Sequence, residues 1–338
     1  MIAEKPPHSR PEINGPSAPV DAALAAYQAG GQVRGWLRCV QSDTTVELLE
    51  RWIEGFRRHH PLVRIDTLIG GSGAAGPALT EGWADLAFNA RELLPKEERP
   101  FRERHGYEPF RVAVAGGSYD VLAFTDAIAF FVSRHNPITS LSLAQLDAIY
   151  GRSPRRGLTQ IATWDQLGLA CEWAGRPIKL YGVRPENGFE LFVREQVLEG
   201  GDFRDGIELS DTVFPIAGAV APDPYAIGYA GLAFLSEGVR PLALAAHAGS
   251  VPVEATHETV AAQTYPLSRQ IFIFANRPPG QPLPAALREF VRYALSREGQ
   301  QAVADDGIFM PLPAAVVERE LGRLPARCGG SVNGPGKS

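Results

Sequence analysis

The chain has 338 residues and a formal net charge of −5, with 45% hydrophobic and 21% charged residues, 35 glycines and 28 prolines. At roughly 100–200 residues per domain that length suits about two domains, and the composition excludes a disordered, collagenous or coiled-coil protein. The acidic balance argues against nucleic-acid binding, and no run of about 18 apolar residues is present to span a membrane.

Residues 1–32 are expected to form a flexible arm, because "EKPPHSRPEINGPSAP" has no period and little to bury. The tail, residues 325–338, reads the same way. The stretch ahead of Val33 has no apolar h-region and is not a secretory signal as it stands. The expectation is therefore either a cytoplasmic chain or one whose leader has been removed. Cys39, Cys171 and Cys328 are far apart and odd in number, so small buried hydrophobes are expected rather than a zinc or redox motif.

Between the ends, strands and helices alternate. Strand signals cover 33–40, 63–70 and 84–90, and an amphipathic helix covers 44–60 with Val46, Leu49, Ile53 and Phe56 on one stripe. A short helix is expected over 73–82. This β-α-β-α-β order predicts an α/β layer on a largely parallel sheet. Further strands are expected at 126–133, 177–183, 226–231 and 269–277. Further helices are expected at 142–151, 189–198 and 284–307. Trp164 and Trp173, in a loop-rich insert, are expected to anchor packing.

Three strand-to-helix junctions place small or polar residues where a helix begins. They are Ser42-Asp43-Thr44-Thr45, Gly70-Gly71-Ser72-Gly73-Ala74 and Asn187-Gly188-Phe189. A helix N-terminus exposes unpaired N–H groups and the positive end of its dipole, so small residues there admit an anion. The same residue types are also ordinary helix caps and turn formers. Arg91 and Arg184 each follow a strand at the same end, where a guanidinium could balance an anion's charge or simply face solvent. No HExxH, GxSxG, Walker A or helix-opening GxGxxG pattern is present. His59 and His60 end a helix, where cations suit the dipole better than a metal role.

From about Val33 to Leu324 the sequence resembles the PstS-like phosphate-binding proteins of ABC transporters. The stretches that carry the resemblance are "SDTTVELLERWIEGFRRHHP", "GGSGAAGPALTEGWADLAFNARELLPKEE", "AIAFFVSRHNPITSLSLAQLDAIYG", "DPYAIGYAG", "YPLSRQIFIFANRPPG" and "FVRYALSREGQQAVADDGIFMPL". The resemblance implies a two-lobed α/β fold of the type II periplasmic-binding-protein kind, with a ligand cleft between lobes joined by two crossover strands. Lobe one would be 33–128 and 269–324, and lobe two 129–268, with crossovers near Ala127–Val132 and Leu267–Phe274. It implies capture of phosphate or a related oxyanion for ABC-transporter uptake, a periplasmic monomer, membrane-subunit partners, no cofactor and no catalysis.

Carried over residue by residue, the resemblance points to Thr44, Thr45, Ser72, Gly73, Asn89, Arg91, Arg184, Asn187 and Gly188 as ligand-binding. The fourth loop departs from the family. Val183, Asn187 and Phe189 stand at its arginine, serine and threonine positions, and Arg184 lies one place along. Phe189 would set an apolar ring beside the anion. The alternative reading is therefore a diverged binding or sensing protein, or an enzyme, for a phosphorylated or carboxylated organic anion.

Overall fold

The computed structural model describes residues 18–122, 124–247 and 249–324. The remainder of the two expected flexible ends, residues 1–17 and 325–338 with Cys328, lies outside them. In chain order the strands are β1 Gly35–Gln41, β2 Val63–Ile69, β3 Leu86–Asn89, β4 Phe110–Gly116, β5 Ile128–Ser133, β6 Ser140–Ser142, β7 Lys179–Val183, β8 Ile207–Ser210, β9 Ala226–Gly231, β10 Val239–Pro241, β11 Ala243–Ala245 and β12 Gln270–Ala275. The helices are α1 Val46–His59, α2 Ala75–Glu81, α3 Pro95–His105, α4 Leu143–Tyr150, α5 Gly188–Gln196, α6 Ile216–Val220, α7 His257–Ala261, α8 Ala285–Ala294, α9 Arg297–Asp306 and α10 Ala314–Gly322.

Two five-stranded sheets organise the chain, in the orders β2-β1-β3-β12-β4 and β10-β5-β9-β7-β8. The expectation of a largely parallel sheet needs correcting. The pairs β1–β2, β1–β3, β7–β8 and β7–β9 are parallel, but β12 runs antiparallel to β3 and β4, and β5 antiparallel to β9 and β10. The reversed strands are those that follow the connections between sheets, so the chain enters each sheet against the direction set by its βα units.

Sheet one is covered on both faces. The α1 stripe delivers Leu49, Trp52 and Phe56 against Phe88 and the α8 residue Phe290. On the other face α2 and α3 supply Ala78, Leu79 and Phe101 against Phe274. Burial on both faces explains why Phe110–Gly116 and Gln270–Ala275 read as apolar runs rather than alternating ones. Sheet two carries its own core of Phe130, Phe131, Tyr150, Trp164 and Tyr229. Trp164 meets Trp173 edge-on at 6.0 Å. The long helical region expected over 284–307 consists of two helices, α8 and α9, and Ser296 caps α9 by accepting the Gly299 N–H.

The ordered chain begins before Val33. Leu24 and Tyr27, inside the expected arm, are buried. The Tyr27 hydroxyl lies 2.6 Å from His60 Nε2 and donates to Glu289 at 3.1 Å, while its backbone N–H donates to Glu298 at 2.6 Å. The arm's polar look hid two side chains that supply its anchorage.

The connections between the sheets run side by side. Gly117 N–H donates to the Arg269 carbonyl at 2.8 Å, and Ile128 N–H to the Leu267 carbonyl at 3.2 Å. Gly117 is required there, since a Cβ would stand 2.2 Å from the Thr125 carbonyl oxygen. Ile128–Ser133 and Gln270–Ala275, which overlap the expected crossovers, are interior strands of the second and first sheets. The passages between sheets precede them.

Candidate functional site

Because β1, β2 and β3 are parallel neighbours, the loops after them leave one edge of sheet one. Ser42 N–H donates to the Phe88 carbonyl and Gly70 N–H to the Gln41 carbonyl, both at 3.1 Å, which ties the three loops together. Gly71 takes a left-handed backbone, φ 71°, that favours glycine. At the centre is buried Ser42, whose Oγ lies 3.2 Å from each of Asp43 Oδ1, Thr44 Oγ1 and Ser72 Oγ. Ser42 stands in the first junction, yet reading along the chain did not single it out from Thr44 and Thr45. Thr45 does not face this cluster with a free hydroxyl. Its Oγ1 donates to the Ser42 carbonyl at 3.0 Å and it is fully buried.

The third loop is built around Arg91. Its Nη1 and Nη2 donate to Glu97 Oε2 and Oε1 at 2.9 and 2.8 Å, and Nη1 also donates to the Glu92 carbonyl. The two side chains are only 18% and 10% exposed. Glu97 also accepts the Leu94 N–H at 2.8 Å in the first turn of α3, where a carboxylate suits the helix dipole. Asn89 donates through Nδ2 to the Arg91 carbonyl at 3.0 Å, and its buried Oδ1 has no donor.

Loops from both sheets meet at this pair. A Cβ on Gly73 would stand 3.8 Å from Glu97 Oε1, and one on Gly188 would stand 3.4 Å from Arg91 Cδ. Close approach at these glycines brings the second, third and fourth loops together. Nearby, Lys96 on α3 reaches Glu186 of the fourth loop at 2.8 Å. That exposed bridge is worth little energy but marks contact between the two units.

The fourth loop holds its polar side chains differently from the expected pattern. Arg184 pairs with Asp211 at 2.7 Å and is 65% exposed, so its guanidinium is on the surface rather than beside Gly188. Asn187 accepts the Phe189 N–H at 2.9 Å and is thereby the N-cap of α5. Phe189 packs on the core of sheet two, edge-on to Phe234 at 5.8 Å. Its outer ring face covers the Arg269 guanidinium at 5.5 Å.

Two buried charged residues at the connections escaped the sequence reading. Arg269 follows the second passage and sits over Phe189 and Phe192. Asp126 ends the first passage and accepts the Ala233 N–H at 3.0 Å. Its burial is enforced by Gly231, where a Cβ would overlap the carboxylate. Burial pushes the Asp126 carboxyl up to about 6, against the opposing pull of the Ala233 N–H and the Arg269 charge.

A carboxyl that holds its proton more tightly folded than unfolded makes the fold less stable as pH rises from its unperturbed 3.8 to about 6. The cost levels off above that, at about 3 kcal/mol. Asp126→Asn keeps an acceptor for Ala233 and is expected to flatten this part of the stability–pH curve. Urea unfolding at pH 4 to 7 reads it out, and an unchanged slope in the variant would refute it. Among the described residues no group of three or more His, Cys, Asp or Glu is placed to hold a metal ion.

Over residues 26–298 the chain matches the family described as the PBP superfamily domain. It is 36% identical over 308 residues to the phosphate-binding protein PstS of Pseudomonas aeruginosa, an alignment covering 91% of this chain and 92% of that one. It is 23% identical over 335 residues to the protein SphX of Synechococcus elongatus, covering 98% and 94%. Among solved structures, PstS from Borrelia burgdorferi is similar in fold, with a TM-score of 0.52 at 18% identity, over 83% of this chain and 100% of that one.

Proposed function

The chain belongs to the PBP superfamily and, within it, to the family of the phosphate-binding protein PstS, and from that premise we propose that it captures phosphate between its two units and delivers it to the membrane subunits of an ABC transporter. The reading places it in the periplasm as a monomeric carrier without catalysis. The observation that carries it is the meeting of loops from both sheets at the buried Arg91–Glu97 pair, between Gly73 and Gly188.

In this reading Ser42, Thr44 and Ser72 exchange their mutual 3.2 Å contacts for oxygens of the anion. Backbone N–H groups at Gly73 and Gly188 add donors at helix starts, and Asn89 closes the third side. Glu97 is an acceptor-only group when ionised, so it accepts a hydrogen bond from the hydroxyl of hydrogen phosphate and repels sulfate, which has no hydroxyl to donate. Thr45, Asn187 and Arg184 shape or flank the loops, since their polar groups are held by Ser42, Phe189 and Asp211. An organic anion loses its support, because Phe189 lies against Phe234 and Arg269.

The test is calorimetry on protein unfolded and refolded to strip bound ligand. Phosphate is expected to bind at micromolar concentration or below, with sulfate at least about 100-fold weaker, as expected where one oxygen must donate and a buried acceptor punishes its absence. Arg184→Ala is expected to leave the affinity within about twofold, as for an exposed pair. No heat and no thermal stabilisation with phosphate would overturn the reading.

A further inference from the structure

Arg269 is 6% exposed, and its Nε is enclosed without an acceptor. Among the described residues no hydrogen bond or ion pair takes up its guanidinium, in contrast to Arg91 on Glu97 and Arg184 on Asp211. Its positive charge is influenced by the carboxylates of Glu92 and Asp126 and by Arg91, but neither carboxylate is an ion-pair partner. A buried cation left this way is costly unless something anionic completes it.

Its environment leaves a specific edge open. Phe189 and Phe192, one turn apart on α5, each lie 5.5 Å from the guanidinium carbon. Rings engage the faces of a guanidinium, whereas its five N–H donors point outward in the plane. The same first turn of α5 begins at Gly188, where a Cβ would stand 3.4 Å from Arg91 Cδ at the junction of the two units. The position at which the family resemblance expects an arginine is Val183, which is buried and apolar.

We propose that Arg269 is the cation that receives the bound anion, reaching from the second passage between the sheets to the start of α5 and supplying the charge that Val183 does not. The proposal rests on the phosphate-binding reading of the same site. The two aromatic rings hold the guanidinium plane, and its in-plane donors make paired contacts to two oxygens.

The experiment compares wild type, Arg269→Met and Arg269→Lys, each stripped of ligand, by phosphate calorimetry and by thermal unfolding with and without phosphate. Met keeps the apolar stem and removes an unpaired buried charge. The stripped R269M protein is therefore expected to melt at or above the wild-type temperature, to lose its phosphate-induced shift, and to bind phosphate about 100-fold more weakly or worse. R269K keeps the charge without the fork and is expected to fold and to bind about tenfold more weakly. Wild-type affinity in either variant overturns the proposal, as does a lower melting temperature of stripped R269M with affinity retained, the mark of a purely structural pin. Wild type that binds no phosphate overturns the functional reading and this inference with it. Wild type that binds while R269M and R269K bind equally well overturns the inference alone.

Discussion

Replacing Glu97 with alanine is expected to lower stability by about 3–5 kcal/mol, the range for removing one partner of a buried ion pair. Glu97 is the acceptor for both terminal nitrogens of Arg91 and for the Leu94 N–H that opens α3. Arg91, at 18% exposure, would be left with only the Glu92 carbonyl. Neighbouring groups cannot slide in to compensate, because α2 lies against this turn. A Cβ on Gly76 would come within 2.7 Å of the Glu97 carbonyl oxygen. Urea unfolding in phosphate-free buffer measures the loss. Removing Arg91 as well should recover part of it, since the second deletion takes away the stranded charge. A loss below about 1 kcal/mol would show that the pair is solvated like a surface bridge. The same variant should lose preference for phosphate over sulfate, because the acceptor for the phosphate hydroxyl is gone.

Trp52→Ala is expected to cost a similar amount by another route. Trp52 is fully buried, packs 5.1 Å from Phe88, and donates its indole N–H to the Gly299 carbonyl at 2.7 Å. Emptying that volume costs about 3–5 kcal/mol, and the stranded carbonyl adds to it. Gly299 cannot be shifted to refill the gap, because a Cβ there would already overlap the Tyr293 carbonyl at 2.1 Å. Trp52→Phe keeps most of the volume and should cost clearly less. Equal losses in the two variants would mean that the hydrogen bond, not the volume, dominates. Phe88 immediately precedes Asn89, so the cavity lies under the third loop, and phosphate affinity should fall with stability.

The elements that local pattern could reveal were those with a period. The α1 stripe and the apolar strands stand where the sequence places them, within a few residues. α3 escaped because "PKEERPFRERH" has no apolar stripe and contains Pro100, and only Phe101 among its residues is buried. It is held instead by Pro95 at its start, by Glu97 reaching back to Leu94, and by Gly106 in a left-handed close. Strand direction escaped because pairing is decided between segments, as for β12, which lies between two strands about 155–185 residues earlier in sequence.

The site divides along the same line. The junction glycines and hydroxyls announce themselves locally through helix starts, and Gly73, Gly188 and Arg91 are brought together. What each polar atom is free to do depends on distant partners. Asp211 removes Arg184, and the Asn187 cap is spent within its own turn. Arg269 sits in an unremarkable strand start, and only the folding of α5 over it sets two aromatic rings against its guanidinium.

The two passages between the sheets are bonded to each other through Gly117 with Arg269 and Ile128 with Leu267. Two covalent attachments lying side by side suppress sliding and twisting and leave the halves one easy rotation, about a line through both. Atoms beside that line hardly travel as the halves swing, while atoms at the far rim sweep the longest arc. Arg269 carries one of those bonds, so its backbone hardly travels whatever the angle.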